Sequence, residues 1–346
     1  MSGNLNSIDV VVPCYNYGRY LRSCVRSILD QSGVTLRVLI IDDASSDETA
    51  EVAQALELED SRVTFWSHSV NRGNINTYNE GIQWASAEYF LLLSADDWLL
   101  PGALARVLKV FQDHPEVVLV HGRAVVARVG EPVPEIENSH RTKYSVLPGQ
   151  SFITAACSDS DSNPVWTPTA VVRTADQKAV GGYSAALPHA GDLHLWLTLA
   201  CRGSIAEIEN YQAVYRRHET NMHYSFSKLK NLRQHLLAFN EVFDSYPDKI
   251  KNYGALRKKY RKGLALSAIR LAQRDAVNNG GALCDDYLSF AFDLAPGLRM
   301  SAVFLQLQLL RIGGHRVARA LKPLRQKLRQ LRVNGSNANL RGLIQE

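Results

Sequence analysis

Through the first half of the chain, short apolar runs alternate with stretches whose apolar positions recur every three or four residues. Ile8–Val12 is apolar apart from Asp9 and predicts a strand, and Tyr20–Leu29 follows with helical spacing. The pairing repeats: Leu36–Ile41 then Thr49–Leu58, Val63–Trp66 then Ile75–Ala85, Tyr89–Leu93 then Ala103–Phe111, with Val117–His121 as a fifth strand. Such an order predicts an α/β fold, a Rossmann-related, mostly parallel sheet flanked by helices. Ligands of these sheets lie beyond the carboxyl ends of the strands. Arg128–Gln150 carries three prolines and reads as a loop or short hairpin. Thr169–Arg173 reads as a further strand and Asp192–Cys201 as an apolar helix. From Ser227 onward the pattern is helical, with breaks near Asn278–Gly281 and Ala295–Gly297. The division expected is a domain over residues 1–226 and a helical C-terminal extension over 227–346.

The 346 residues are 46% hydrophobic and 21% charged, a globular mix that excludes disorder and collagen-like repeats. The net charge of +5 is unevenly spread. From Arg311 on, nine basic residues face one acid, Glu346, so the remainder of the chain is net acidic. Leu321, Leu324, Leu328 and Leu331 alternate with Lys322, Arg325, Arg329 and Arg332, an amphipathic basic helix. Residues 316–332 therefore suit an anionic membrane surface, or equally a leucine face packed on the body with its arginines in solvent. No nucleic-acid motif accompanies the charge, so no nucleic-acid partner is expected. The five cysteines are scattered and form no C-x-x-C pair, as expected of a cytoplasmic protein. Polar Ser2–Ser7 and the lack of a long apolar run predict neither a signal peptide nor a membrane span.

Three acidic sites fall at predicted strand ends. Asp42-Asp43 follows the second strand. Ser45-Ser46-Asp47-Glu48 has capping-box form, with Ser45 as N-cap and Glu48 reaching back, but this leaves two adjacent like charges unexplained. Asp96-Asp97 follows the fourth strand. Paired carboxylates there suit Mg²⁺ or Mn²⁺ completed by substrate phosphates, and helix capping is the alternative. Asp192 opens a helix, where it is either an N-cap or a rigidly held base. There is no G-x-x-x-x-G-K-[ST] loop and no G-x-G-x-x-G fingerprint, which removes the main support for nucleotide hydrolysis or dinucleotide oxidoreduction.

Taken in order, these pieces resemble the family 2 glycosyltransferases, inverting enzymes of GT-A fold that use nucleotide sugars. The resemblance runs from about Ile8 to Tyr224. It is carried by Val11-Val12-Pro13-Cys14-Tyr15-Asn16, Ile40-Ile41-Asp42-Asp43, Asn71-Arg72-Gly73, Asn79-Glu80-Gly81 and Ala95-Asp96-Asp97. Val180-Gly181-Gly182-Tyr183, Gly191-Asp192 and Tyr215-Arg216-Arg217-His218 with Asn221 complete it. The resemblance implies that Tyr15 and Asp43 hold the uracil of a UDP-sugar, with Pro13, Asn71, Gly73 and Asn79 around the donor. It places Asp96 near the ribose or the metal, Asp97 on a Mg²⁺ or Mn²⁺ ion, His218 at the diphosphate or metal, and Asp192 as the base on the acceptor hydroxyl. Members commonly carry an acid where Ser94 stands and an arginine where Tyr78 stands. No Q-x-x-R-W occurs, so single addition fits better than processive synthesis. The function implied is transfer of one sugar from a UDP-sugar to a glycan or lipid-linked acceptor in cell-surface polysaccharide synthesis, at the cytosolic face of the membrane. The alternatives are a non-catalytic nucleotide-sugar-binding or scaffolding partner and a sugar nucleotidyltransferase.

Overall fold

The computed structural model describes residues 6–131, 136, 141–219, 221 and 227–311. The basic helix expected over 316–332 lies outside the described residues. The chain packs as two compact units, Met1–Tyr260 and Arg261–Glu346.

The first unit begins with β1 (Ser7–Cys14), α1 (Gly18–Leu29), β2 (Thr35–Asp42), α2 (Thr49–Glu59), β3 (Val63–Ser67), α3 (Asn74–Trp84) and β4 (Tyr89–Leu92). The short β5 (Trp98–Leu99), α4 (Ala103–Asp113), β6 (Val117–Arg128), β7 (Tyr144–Leu147) and α5 (Gly149–Ser158) follow. Then come β8 (Val171–Arg173), α6 (Thr174–Ala179), α7 (Gly191–Ala200), β9 (Ser204–Arg217) and α8 (Lys228–Ser245). Helix α9 (Tyr253–Asn278) begins in this unit.

Among the described residues the strands form one sheet in the order β3-β2-β1-β4-β8-β6-β9-β5, with β7 paired to β9. It is parallel over β3-β2-β1-β4. Beyond β4 it is mixed: β8 runs antiparallel to β4 and β6, while β6 and β9 are parallel. Strands β1, β2 and β4 are largely buried on both faces, so their sequences are near-continuous apolar runs rather than alternating, whereas the edge strand β3 is exposed at Trp66. Leu21, Cys24, Val25 and Ile28 form the buried stripe of α1 on one side. On the other side α3 lies so close to β1 that a Cβ at Gly81 would sit 2.5 Å from Val11.

The capping box does not form. Helix α2 starts at Thr49, and its first N–H goes to Asp47 Oδ1 at 3.1 Å rather than to Ser45. Ser45 Oγ instead accepts from Asn16 N–H at 2.9 Å, and Asp47 Oδ2 accepts from Gly18 N–H at 3.0 Å. These side chains stitch the loop after β1 to the loop after β2. Both loops turn through left-handed residues, Asn16 at φ 58° and Ala44 at φ 59°. For alanine that conformation costs about 1–2 kcal/mol, and it sits directly after Asp43.

At the amino end of the sheet, Asp9 is fully buried. Its carboxylate accepts from Arg37 Nε and NH2 at 2.8 and 2.6 Å, and from the N–H groups of Ser86 and Ala87 at 2.6 and 2.8 Å. Asp9→Ala strips the acceptor from two part-buried backbone donors and from the Arg37 guanidinium, at about 1–3 kcal/mol for each bond to the charged group. A loss of roughly 3 kcal/mol is expected in urea unfolding, and a loss below about 1 kcal/mol would contradict this account.

In the second unit α9 ends at Asn278, and α10 (Cys284–Leu294) follows the break at 278–281. Asp275 sets that turn by accepting from Leu283 N–H at 2.7 Å and Asn279 Nδ2 at 3.0 Å. A short 3₁₀ turn, Pro296–Met300, occupies the second expected break. Among the described residues no helix is long and apolar enough to cross a membrane.

Candidate active site

Strands β1, β2 and β4 end side by side, with Cys14 paired to Asp42 and Val11 to Leu92. The chain leaving them lines a cleft of about 490 Å³ in the first unit, within the usual range for small-molecule sites. Pro13, Tyr15, Asp43, Asn71 and Gly73 line one end of it. Asp96 and Asp97 line the middle, and Asp192 lies against the α7 side.

At the first end the aspartate doublet divides its tasks. Asp42 makes the turn, with Oδ1 accepting from Ser45 N–H at 3.0 Å. Asp43 faces the cleft. Its Oδ1 accepts from Arg72 N–H and His68 Nδ1, both at 2.7 Å, and its Oδ2 accepts from Gly73 N–H at 2.8 Å. Gly73 presents that N–H from a φ of +82°, which glycine adopts freely, and shares it with Asn71 Oδ1 at 3.1 Å. A carboxylate oxygen offers about two lone pairs. Oδ1 is therefore saturated and Oδ2 keeps one acceptor position. Beside it, Tyr15 is 49% exposed, an aromatic face open to a planar ligand.

Asp96 and Asp97 follow β4 and are both buried. Asp96 Oδ2 accepts from His218 Nε2 at 3.0 Å and Asn221 Nδ2 at 3.1 Å. Asp97 Oδ1 accepts from Arg216 N–H at 2.8 Å, and Arg216 itself lies between the rings of Tyr20 and Trp98. Burial raises the pKa of both carboxyls. The Asp96 charge pushes Asp97 further, well above the carboxylate range, while His218 partly offsets the effect at Asp96.

The described lining includes Asp43, Asp96, Asp97 and Asp192 but neither lysine nor arginine. Among the described residues no three His, Cys, Asp or Glu side chains gather into a metal cage. Two buried carboxylates that bear this desolvation fit a cation whose remaining ligands come from a substrate.

Asp192 is not a cap: α7 starts at Gly191 after Ala190, with no side-chain cap bond. Its Oδ2 accepts from Thr167 Oγ1 at 2.9 Å, and Tyr183 also donates to it. Burial raises its pKa, and those two donors hold the rise back.

Two sequence-derived residues lie elsewhere. Asn79 is outside the cleft lining. Its Nδ2 donates to Tyr183 O at 2.9 Å and its Oδ1 accepts from Tyr183 N–H at 2.8 Å, so both ends of the amide position Tyr183. The His218 ring is only 5% exposed and stands behind the cleft wall, against Asp96, Asn221 and Tyr17. Thr167 and His68 were not anticipated, since neither lies in a local pattern that marks it, whereas Tyr215, which lines the cleft, fell in the Tyr215-Arg216-Arg217-His218 landmark. Tyr183 did fall in the Gly181-Gly182-Tyr183 landmark, but its bond to Asp192 joins positions nine residues apart across a turn.

This architecture has been seen in solved structures. The chain superposes on Staphylococcus aureus TarS 1–349 in complex with UDP-GlcNAc with a TM-score of 0.52 at 16% identity, covering 83% of this chain and 89% of that one. It superposes on the mannosyltransferase PcManGT from Pyrobaculum calidifontis, in complex with GDP-Man and Mn²⁺, with a TM-score of 0.54 at 16% identity, covering 88% and 87%. The fold is that of GT-A glycosyltransferases. By sequence, residues 9–159 match the model described as Glycosyl transferase family 2. Glycosyltransferase GlyG of Streptococcus pneumoniae is 31% identical over 113 residues, or 33% of this chain and 38% of that protein. The GalNAc(5)-diNAcBac-PP-undecaprenol beta-1,3-glucosyltransferase of Campylobacter jejuni is 28% identical over 149 residues, or 43% and 48%. The chain thus spans less than half the length of these two curated relatives. The resemblance to glycosyl transferase family 2 rests on residues 9–159, somewhat less than half of the chain.

Proposed function

We propose that the protein transfers a single sugar, with inversion, from a UDP-sugar to a hydroxyl of a glycan or lipid-linked acceptor. The observation that carries this reading is the division of the cleft. One end offers a single carboxylate lone pair on Asp43 beside the exposed Tyr15, and the other offers the half-buried Asp192, which caps no helix. A uracil ring presents one imide N–H that suits the Asp43 position, and its face suits Tyr15. A sugar hydroxyl is a poor nucleophile, and a carboxylate within hydrogen-bond reach takes its proton as attack proceeds. One base and one in-line displacement invert the anomeric carbon, and the nucleoside diphosphate leaves. Asp97, with Asp96 beside it, would hold Mg²⁺ or Mn²⁺, which when bound offsets the negative charge on the diphosphate. The need is acute in a described lining with four carboxylates and no lysine or arginine. A lipid-linked acceptor is supported by the undecaprenol in the Campylobacter relative's name; a place in cell-surface polysaccharide synthesis at the cytosolic face of the membrane rests on the sequence resemblance alone.

Calorimetry with Mn²⁺ tests the donor. UDP is expected to bind more tightly than GDP or ADP, and slow UDP release from a UDP-sugar in water marks an enzyme rather than a binding partner. An absence of UDP binding, or tighter binding of GDP, would overturn the UDP assignment.

A further inference from the structure

The Asp43 carboxylate is fixed by more than its own loop. His68, one residue beyond β3, is 6% exposed at its side chain and lies between two acids. Its Nδ1 is 2.7 Å from Asp43 Oδ1 and its Nε2 is 2.6 Å from Glu80 Oε2 on α3. The other Glu80 oxygen receives Arg72 NH1, and the backbone N–H of Arg72 returns to Asp43. The result is a closed circuit, Asp43–His68–Glu80–Arg72–Asp43, that joins the ends of β2 and β3 to α3 and the turn before it. Its charges balance as two carboxylates, one guanidinium and one ring. An ionised carboxylate only accepts, so the ring satisfies both neighbours when each nitrogen carries a proton. A neutral ring would set a nitrogen lone pair against a carboxylate lone pair at one of the two contacts. Nothing in the donor reading requires this circuit, because His68 does not line the cleft.

We propose that His68 is a positioning residue for nucleobase recognition: doubly protonated and bridged to Glu80, it locks Asp43 so that one acceptor position faces the cleft. This rests on the reading of Asp43 as the base-binding residue. The bond to Glu80 stops the ring from turning, and the ring in turn fills one lone pair of Asp43 Oδ1. Arg72 N–H fills the other, so the carboxylate has no freedom to rotate and offer a different edge. The circuit acts on the base end alone, since Asp96, Asp97 and Asp192 share no bond with it.

The full chain serves for the test. In ¹⁵N-histidine-labelled apo protein at pH 7, the ring signals lost in His68→Gln are expected to show two protonated nitrogens, and a neutral ring would overturn the proposal. Calorimetry with Mn²⁺ then compares UDP with inorganic pyrophosphate. His68→Gln should weaken UDP about tenfold, the scale of one hydrogen bond to a charged group, while pyrophosphate affinity holds. Glu80→Gln, at a partly exposed helix position, should act in the same sense and guards against misfolding of the first variant. Equal losses on both ligands would reveal a merely structural role, and unchanged UDP affinity would exclude positioning; either result overturns the proposal. If the wild-type protein bound pyrophosphate but not UDP, the donor reading would fail, and the ring signature alone would decide the protonated bridge.

Discussion

Asp192→Asn should lower the rate of sugar transfer by about 10²–10⁴-fold, the usual contribution of a general base, while UDP affinity stays within about twofold. The substitution keeps the side chain's shape and an oxygen for Thr167 Oγ1 to donate to, so the fold of α7 is unaffected. What it removes is the capacity to take a proton. Turnover that survived it would show that the base lies elsewhere. The environment of Asp192 adds a pH signature. Burial raises its pKa, and the bonds from Thr167 and Tyr183 to the ionised form oppose that rise. The base works only when ionised, so the rate should fall as pH drops through this raised value. Thr167→Val removes one opposing bond, and the acid limb of the profile should then move to higher pH. An unmoved or lower limb would mean that another group sets it.

Asp97→Asn should act in opposite directions on turnover and stability. A bound cation supplies several kcal/mol of charge stabilisation, so turnover is expected to fall on the order of 10³-fold. The metal-free protein should nevertheless melt about 2–4 °C higher, because the variant no longer buries a carboxylate beside Asp96. The sign with pH follows. A raised native-state pKa means that ionising Asp97 costs stability, so the penalty is absent in acid, grows as pH rises past the ordinary carboxylate range and is complete above that raised value. The gap in Tm between variant and wild type should therefore widen with pH and close, or reverse, when Mn²⁺ is added. Thermal unfolding across pH with and without Mn²⁺ reads both effects. A variant no more stable than wild type without metal would show that the buried pair is already neutralised.

The parallel half of the sheet is plain in the sequence because burial on both faces demands unbroken apolar runs, as in Val10–Val12 and Val38–Ile41. Strand β9 is not, although it is the longest among the described residues. Glu207, Glu209, Asn210 and Gln212 interrupt it, and its pairing with β6 shifts register near Gly122 and Arg123. Helix α5 is equally hidden behind the proline-rich stretch that precedes it. At the site, Asp43, Asp96 and Asp97 are legible because they follow apolar strands, where the topology places ligands. The capping box misleads because Ser45 and Glu48 have the right spacing, but Asp47 competes successfully for the first helical N–H. The partners of Asp192 escape because the bond from Thr167 spans 25 positions and leaves no local trace.

Helix α3 carries a consequence for donor length. Gly73, immediately before it, gives its N–H to Asp43, and Asn79, six residues on, grips the backbone of Tyr183, which bonds to Asp192. Six residues of helix rise about 9 Å. One rigid element is therefore a caliper, with one jaw on the acid that would meet the nucleobase and the other on the support of the acid that would meet the acceptor. The span between the jaws follows from backbone geometry and does not wait on a loop to close. Lengthening or kinking α3 between residues 74 and 79 would reset that gauge for every donor at once.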